Sequence, residues 1–307
     1  MFPLKKPISI EQQIALLESR GMTIPDHQRA GLALSSYGYY RLSGYMLQMK
    51  RSKSSSEYRP GSNFDDVLKL YEFDMELRHV LLCAIDQIEI NCRAKIVQPF
   101  VMYFGEYGHY REDSFDSPES CDKFVTKLDK AIGAHRHLPC VKHHIDKYSN
   151  TSINPPVYYM PLWAAVEILT INDLSKFYKT IKPKTVKHEI AHSLNASVEM
   201  LENWLYSTST LRNICAHHGR LYDREIYPGV KYEPRLKAAY SNEWLATTRF
   251  YGCLPMLIRL LPDEDSRRMF IKALKPVVLN YQDVIDLKCI GFPKTWESRL
   301  SAWPFVE

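Results

Sequence analysis

The six residues from Arg212 to His217 include the side-chain types that phosphodiester cleavage requires. A histidine, with an ordinary pKa of about 6.5, can remove a proton from a ribose 2′-OH or give one to the departing oxygen at neutral pH. An arginine binds a phosphate through parallel N–H groups and stabilises the charge that develops in the transition state. We therefore predict Arg212 and His217 as a catalytic pair that needs no metal and no cofactor.

Apolar residues at three- and four-residue steps predict one helix over residues 196–218. At ~100° per residue, Asn213, His217 and Arg220 fall within about 60° of each other if the helix persists. Arg212 lies to one side, and its long side chain reaches the same patch. Asn213 is expected to hydrogen-bond His217 and orient its ring, and Arg220 is expected to support the pair.

Two more side chains are assigned supporting roles. His218 is a second imidazole directly beside His217. Glu167 is an acidic residue in an apolar stretch, and we interpret it as the partner of a buried arginine, with Arg212 as the candidate. One histidine supplies one proton-transfer group, whereas cleavage usually uses a general acid and a general base. A symmetric dimer, in which two copies of the helix meet, supplies two of each.

The same pattern also has a purely structural interpretation. Basic side chains near the end of a helix interact favourably with its dipole. An arginine followed five residues later by a histidine is a short pattern that occurs by chance. On spacing alone, the structural interpretation is the more frequent one, so the pattern needs support from the rest of the chain.

Two further segments carry groups suited to RNA. In YGYYRLSGY, residues 37–45, tyrosines can stack on bases and an arginine can hold a phosphate, so the candidate RNA contacts are Tyr40, Arg41 and Tyr45. The alternative is that these tyrosines pack between helices. The polar face of a predicted helix over 63–103 adds Arg78, Arg93 and Lys95 as candidates. Acidic residues are interspersed among them, so a solvated helix face is the alternative there.

Composition places the chain among globular proteins with an ordinary core. Its 307 residues are 45% hydrophobic and 24% charged, and the net charge of +5 permits a polyanionic partner without requiring one. Seven cysteines at wide spacings indicate reduced thiols in a cytoplasm. The histidines between 135 and 144 match no zinc spacing, so no metal site is expected. No apolar run approaches the ~20 residues that span a bilayer, so no membrane partner is expected.

Helical periodicity recurs along the chain and alternating strand patterns are scarce, which predicts an all-α fold. Ser9 and Gln12 form a capping-box pattern at the start of the first helix. The expected helices cover 8–20, 26–36, 63–103, 120–148 as one or two, 161–178, 184–194, 196–218, 237–261 and 264–276. The predicted regions are an N-terminal helical extension over 1–60, a helical core over 61–225, and C-terminal helices over 226–307 packed on that core.

Five segments occur in an order that resembles a known family: KKPISIEQQIALLESRGM, YGYYRLSGY, LYEFDMELRHVLLCAIDQIEINCRAKI, MPLWAAVEILTINDLSKFY and LRNICAHHGRLYDRE. Together they resemble the Abi family of abortive-infection proteins, the AbiD/AbiF group, over most of residues 5–225. That family is similar to the HEPN superfamily of helical nucleases and nucleic-acid-binding proteins. Arg212, Asn213 and His217 match the HEPN motif of an arginine, a polar residue and a histidine a few positions further on. The resemblance implies a HEPN-like helical bundle.

The resemblance has implications for function as well as fold. It implies a homodimer with a composite cleft that cuts RNA without a metal, leaving a 2′,3′-cyclic phosphate when the 2′-OH attacks. It implies a toxin that acts in defence against phage. It leaves open an alternative, a non-catalytic RNA-binding protein that partners a small, structured regulatory non-coding RNA. A cytoplasmic location suits both functions.

Overall fold

The computed structural model describes residues 6–52, 54–149, 159–234 and 247–301. Within these ranges the chain forms thirteen α-helices joined by turns and short 3-10 helices, with isolated bridges but no β-strand. The predicted all-α fold is confirmed. Across this part of the chain, none of the helices has an apolar stretch of the kind that a bilayer crossing requires.

The helices are numbered in chain order. They are α1 Ile10–Ser19, α2 His27–Tyr37, α3 Tyr39–Ser43, α4 Phe64–Phe104, α5 Pro118–Ala134, α6 Pro139–Tyr148, α7 Leu162–Ala165, α8 Ile171–Thr180, α9 Lys184–Ser193, α10 Val198–Ala216, α11 Phe250–Leu260, α12 Glu264–Asn280 and α13 Trp296–Ser301. The capping box predicted before α1 is confirmed, since Ser9 and Gln12 exchange hydrogen bonds between side chain and backbone at 3.3 and 2.9 Å.

Helix α4 is the central element of the fold. It runs unbroken for 41 residues, about 60 Å at ~1.5 Å per residue. Helices α3, α8, α9, α10, α11 and α12 all pack against it. Its buried side chains recur at three- and four-residue steps, among them Leu70, Phe73, Leu77, Leu81, Ile85, Ile88, Cys92 and Ile96. Each such burial contributes roughly 1.5–3 kcal/mol, so packing along this whole length stabilises one helix where the periodicity also allowed two in line.

The apolar stretch predicted as one helix over 161–178 forms two helices. The chain extends at Leu169, and α8 begins after Thr170. The Thr170 hydroxyl accepts a hydrogen bond from the Asp173 N–H at 3.2 Å, and the Asp173 carboxylate accepts one from the Thr170 N–H at 3.1 Å. This capping box satisfies N–H groups at the start of α8 and fixes the start of the helix there. The break leaves the Leu169 carbonyl outside any helix and able to accept another donor.

Helices α8 and α10 lie side by side and run in opposite directions. The Lys187 ammonium, on α9, donates to the carbonyl of Lys179 at the end of α8 and to Glu202 in the first half of α10. At the other end, Leu169, just before α8, is linked through side chains of α4 to Arg212 near the end of α10. The start of α8 therefore lies beside the end of α10.

The C-terminal helices agree in part with prediction. Helix α12 matches the helix predicted over 264–276, and α11 accounts for the second half of the helix predicted over 237–261. Residues 237–246 lie outside the described residues, and residues 247–249 are not helical. Helices from all three predicted regions contact α4, while the division into regions stays a prediction.

Candidate functional site at the end of α10

Helix α10 ends in a turn that fixes the positions of two histidines. The His217 N–H donates to the Asn213 carbonyl at 3.0 Å, which closes the last helical turn. His218 has a left-handed backbone with φ of 54°. The Gly219 N–H then donates to the Ile214 carbonyl at 2.7 Å. This pattern is a Schellman motif, which satisfies the carbonyl groups at the helix end and turns the chain away from the helix axis.

The end of the helix changes the predicted site. Because α10 stops before Arg220, that residue does not continue the face of Asn213 and His217, and the predicted convergence of the three is not formed. Asn213 and His217 are both exposed and lie one turn apart on the open face of α10, in line with Tyr206 and Thr210. Among the described residues, neither the Asn213 amide nor the His217 ring has a hydrogen-bond partner. The expected bond between them is therefore absent.

The Arg212 guanidinium lies beside a glutamate of α4. Its Nε is 3.6 Å from Oε1 of Glu89, and the Arg212 side chain remains 41% exposed. Glu89 is also 3.5 Å from Arg93, which donates to the Leu169 carbonyl at 3.0 Å. The predicted pairing of Arg212 with Glu167 is corrected, because Glu167 is exposed in the 3-10 turn after α7. The break before α8 turns Glu167 outward and presents the Leu169 carbonyl to α4.

Glu89 is a site residue that the sequence prediction missed. Its side chain is 14% exposed, and burial raises its pKa while Arg93 and Arg212 act in the opposite direction. The carboxylate holds Arg212 through Nε, which leaves the two terminal nitrogens without a hydrogen-bond partner among the described residues. The spacing of Glu89 and Arg93, four residues apart on a helix, is a signal that the sequence does contain. Nothing in the local sequence links Glu89 to Arg212.

A buried carboxylate on α4 holds the chain that follows the turn. The Asp74 side chain, 0% exposed, accepts hydrogen bonds from the Tyr45 hydroxyl at 2.7 Å and from the N–H groups of Leu221 and Tyr222 at 3.0 and 2.6 Å. It also pairs with Arg78, one helical turn away. Burial raises the pKa of Asp74, and Arg78 and these hydrogen bonds oppose the rise. Every partner donates, so the carboxylate anchors residues 221–222 to the centre of the fold.

Two arginines join the segment 37–45 to the same turn. Arg41 Nη1 donates to the His218 carbonyl at 2.6 Å, and Arg220 Nη1 donates to the Gly44 carbonyl. The two bonds run in opposite directions between segments that lie 177 and 176 positions apart. The structure thus brings together YGYYRLSGY and LRNICAHHGRLYDRE, whose contact no local sequence pattern indicates.

Two of the residues predicted to contact RNA are buried in the structure, and a third is partly buried. Tyr45 and Arg78 are 2% and 3% exposed, so their polar groups serve Asp74 and not an external ligand. Arg93 is half-buried, with one guanidinium nitrogen committed to Leu169. For Tyr45, packing between helices was the correct alternative. Arg78 is buried beside Asp74, so it lies neither in an RNA groove nor on a solvated helix face.

The other predicted RNA contacts remain at the surface. Tyr40 is 93% exposed, and Arg41 and Lys95 are exposed. Arg41 combines that exposure with its bond to His218, so it borders the turn that carries both histidines. Their contact with RNA stays a prediction.

A cavity of about 400 Å³ opens between α2, α4 and the end of α10. Its walls include Tyr37, Arg41, Tyr71, His79 and His218, and the rings of Tyr37 and Tyr71 lie 4.5 Å apart between centroids. Among the described residues, no acidic side chain lines it. Aromatic rings can stack on a base, and guanidinium and imidazole groups can bind a phosphate, so this cavity suits a nucleotide.

Replacing Arg41 by alanine is expected to lower the free energy of unfolding by about 1 kcal/mol, because an exposed charge-assisted hydrogen bond to the turn is lost. Tyr40→Ala is the matched control in the same segment. Its side chain is almost fully exposed, so a change within about 0.5 kcal/mol is expected. Urea unfolding followed by circular dichroism measures both, and equal midpoints for the two variants would contradict the role of Arg41 in holding the turn.

The fold and the site define an all-α protein that carries an exposed histidine and a half-exposed arginine at one end of a core helix. The family model for Abi-like proteins matches residues 32–223, more than half of the chain, and the chain belongs to the Abi-like protein family. The match covers segment 37–45, α4 and all of α10 with its turn. The family suggests a role in abortive infection, a defence against phage. Searches of curated proteins and of solved structures gave no match.

Proposed function

We propose that this chain is a HEPN-type, metal-independent endoribonuclease that acts as a toxin in abortive infection. One observation carries the proposal: His217 is exposed and Arg212 is 41% exposed at the same end of α10. The turn between this helix and the next residues is held from two sides, by Asp74 inside the fold and by Arg41 at the surface. A site held in this way keeps its groups oriented before substrate binds.

The proposed reaction is transfer of a phosphodiester to the neighbouring 2′-oxygen. His217 takes the proton of the 2′-OH, and that oxygen attacks the adjacent phosphorus. The bond from phosphorus to the 5′-oxygen of the next nucleotide breaks as the new bond forms. The products are a 2′,3′-cyclic phosphate and, after protonation of the departing oxygen, a 5′-hydroxyl. Arg212 binds the non-bridging oxygens and stabilises their growing charge through its free terminal nitrogens.

The departing oxygen needs a second proton-transfer group, and a homodimer supplies it. Tyr206, Thr210, Asn213 and His217 lie along the open face of α10, on the side away from α4 and α8. A two-fold axis across this face brings together two copies of the same helix end. The second copy then contributes the general acid and a second arginine. Support for the dimer is the open face itself, since the rest of α10 is packed within the fold.

Incubation of the purified protein with a single-stranded RNA in EDTA tests the proposal. Cleavage is expected in EDTA, and mass spectrometry should find 2′,3′-cyclic phosphate ends. A 2′-O-methyl strand of the same sequence should remain intact because it has no 2′-OH to attack. Absence of RNA cleavage, or products with 5′-phosphate ends, would contradict the proposed chemistry.

A second candidate function is non-catalytic binding of a small structured RNA. The cavity lined by Tyr37, Arg41 and His79 favours it, because it offers stacking and phosphate contacts without requiring His217. This function predicts tight, salt-dependent binding of both the RNA and its 2′-O-methyl analogue with no cleavage of either. Retention of binding in His217→Ala would agree with it.

A further inference from the structure

A groove lined by lysines runs between α5 and α8, away from the turn after α10. Its lining includes Lys123 and Lys127 from α5 and Lys176 and Lys179 from α8, and it encloses about 290 Å³. The floor is apolar, formed by Phe124 and Phe177, whose rings lie 4.7 Å apart between centroids. Lys130 extends the row along α5 beside Lys127.

The charges of this groove are poorly balanced. Asp173 is the acidic residue in its lining, and it is buried, with Oδ1 3.7 Å from the Lys127 ammonium. Asp122 borders the α5 side. Glu119 lies one helical turn before Lys123, and their charges interact. Five lysines against the two aspartates and this glutamate leave a net charge of +2. Among the described residues, Lys123, Lys176 and Lys179 have no ion-pair partner, so three exposed ammonium groups are available to an anion.

The helix geometry explains why these lysines face the same way. At ~100° per residue, Lys123, Lys127 and Lys130 fall within about 60° of each other on α5. Asp129 lies roughly 100° or more from each of them and Asp122 roughly 80° or more, whereas Glu119 continues the row one turn before Lys123. The opposite side of α5 is packed in the core through Cys121, Leu128 and Ile132. A row of three lysines, preceded by Glu119, therefore faces solvent along the groove.

The contacts of Lys187 show where the groove lies relative to the proposed catalytic end of α10. Lys187 contacts both the carbonyl of Lys179 and the carboxylate of Glu202, which places the end of α8 beside Glu202. Helix α10 covers the fifteen positions from Glu202 to His217, about 22 Å at ~1.5 Å per residue. Because the open face of α10 points away from α8, an RNA that contacts both places has to be a flexible single strand that passes round the surface of the protein.

We propose that the groove between α5 and α8 binds the phosphate backbone of an RNA strand whose other part reaches His217. This inference rests on the proposed function and adds a second contact surface to it. Phosphates recruited by lysines release condensed counterions, which gives sequence-independent affinity. An anionic membrane is the less suitable partner, because α5 and α8 expose no large apolar side chain that could enter a bilayer.

Lys123→Gln/Lys176→Gln/Lys179→Gln tests the inference in the full-length protein. It removes the three unpaired ammonium groups and leaves Lys127 beside Asp173. The control removes the same charge from exposed lysines elsewhere, in Lys272→Gln/Lys288→Gln/Lys294→Gln. The probe is a fluorescein-labelled 2′-O-methyl RNA strand, which cannot be cleaved, and fluorescence anisotropy measures its affinity over a series of salt concentrations.

The groove variant is expected to bind the probe at least about tenfold more weakly than the control variant at low salt. The slope of log K against log salt should become shallower by about 2, since each phosphate contact contributes about 0.7 for a single strand. Equal affinity and slope in the two variants would overturn the inference. So would groove-dependent binding of phosphatidylserine vesicles with no groove-dependent binding of the RNA probe.

These outcomes are separate from the cleavage test. If RNA binding depends on the groove and the wild-type protein does not cleave unmodified RNA, the proposed RNA-binding groove is supported and the proposed nuclease activity is contradicted. If the wild-type protein cleaves RNA and its affinity for RNA is the same in the groove variant and the control variant, the nuclease activity is supported and the RNA-binding groove is contradicted.

Discussion

Replacement of His217 by asparagine is expected to lower the rate of RNA cleavage by roughly 10²–10⁴-fold, the usual contribution of a positioned general acid or base. Asparagine keeps a polar side chain at the helix end but exchanges no proton near neutral pH. The change leaves the fold intact, because the His217 ring is exposed and has no hydrogen-bond partner among the described residues. Single-turnover cleavage of a labelled RNA measures the loss, with thermal unfolding as a check of the fold.

His218→Asn is the matched control for this prediction. His218 has a left-handed backbone, a conformation that asparagine tolerates better than alanine does. Its carbonyl, which accepts the Arg41 hydrogen bond, is unchanged by the substitution. Cleavage within about threefold of wild type is expected. If His218→Asn loses cleavage and His217→Asn retains it, the acting imidazole is His218, and the assignment by motif spacing is wrong.

Local periodicity was enough to predict most of the helices. The buried positions of α4 recur at helical steps over its whole length, and the capping residues Ser9 and Gln12 mark the start of α1. The same reasoning failed at Thr170, where apolar residues continue on both sides of a capping box. Apolar periodicity reports burial, whereas the start of a helix is set by hydrogen bonds to its first N–H groups.

The candidate site was predicted less completely, because its contacts join distant parts of the chain. His217 is exposed and Arg212 is partly exposed, but no sequence pattern indicates that Arg41 holds the carbonyl of His218. Helical periodicity also cannot show where α10 stops, so Arg220 was placed on the wrong surface. It donates to Gly44 instead and helps to fix the turn.

The roles of charged residues on α4 also depend on contacts with distant parts of the chain that the local sequence does not show. Asp74 and Arg78 are four residues apart, a spacing that predicts a pair on one face of a helix. The sequence does not reveal that this face is buried, and so Arg78 was interpreted as a contact for RNA. Glu89 is one of the acidic residues on the polar face for which a solvated surface was the alternative, although it holds Arg212. For Asp74 with Arg78, and for Glu89 with Arg93, the four-residue spacing correctly indicates an ion pair. Whether such a pair is buried decides its role, and that burial depends on α10 and the chain that follows it.

Replacement of Asp74 by asparagine is expected to lower the free energy of unfolding by about 3–5 kcal/mol, the usual cost of removing one partner of a buried ion pair. The substitution leaves Arg78 buried without its counter-ion. It also replaces one accepting oxygen by an NH₂ group, which donates. The neighbouring groups, the Tyr45 hydroxyl and the N–H groups of Leu221 and Tyr222, are donors too and cannot accept from it in their present hydrogen bonds. Urea unfolding followed by circular dichroism measures the change.

Asp86→Asn on the same helix is the control for Asp74→Asn, because Asp86 is exposed and has no ion-pair partner among the described residues. A change within about 0.5 kcal/mol is expected there. The Asp74 variant should also lose cleavage activity below its unfolding midpoint, since residues 221–222 are then released from α4 and the turn with His217 loses its inner support. A stability equal to that of Asp86→Asn would show that the turn is held by Arg41 and Arg220 alone. The buried carboxylate would then have no part in positioning the histidine.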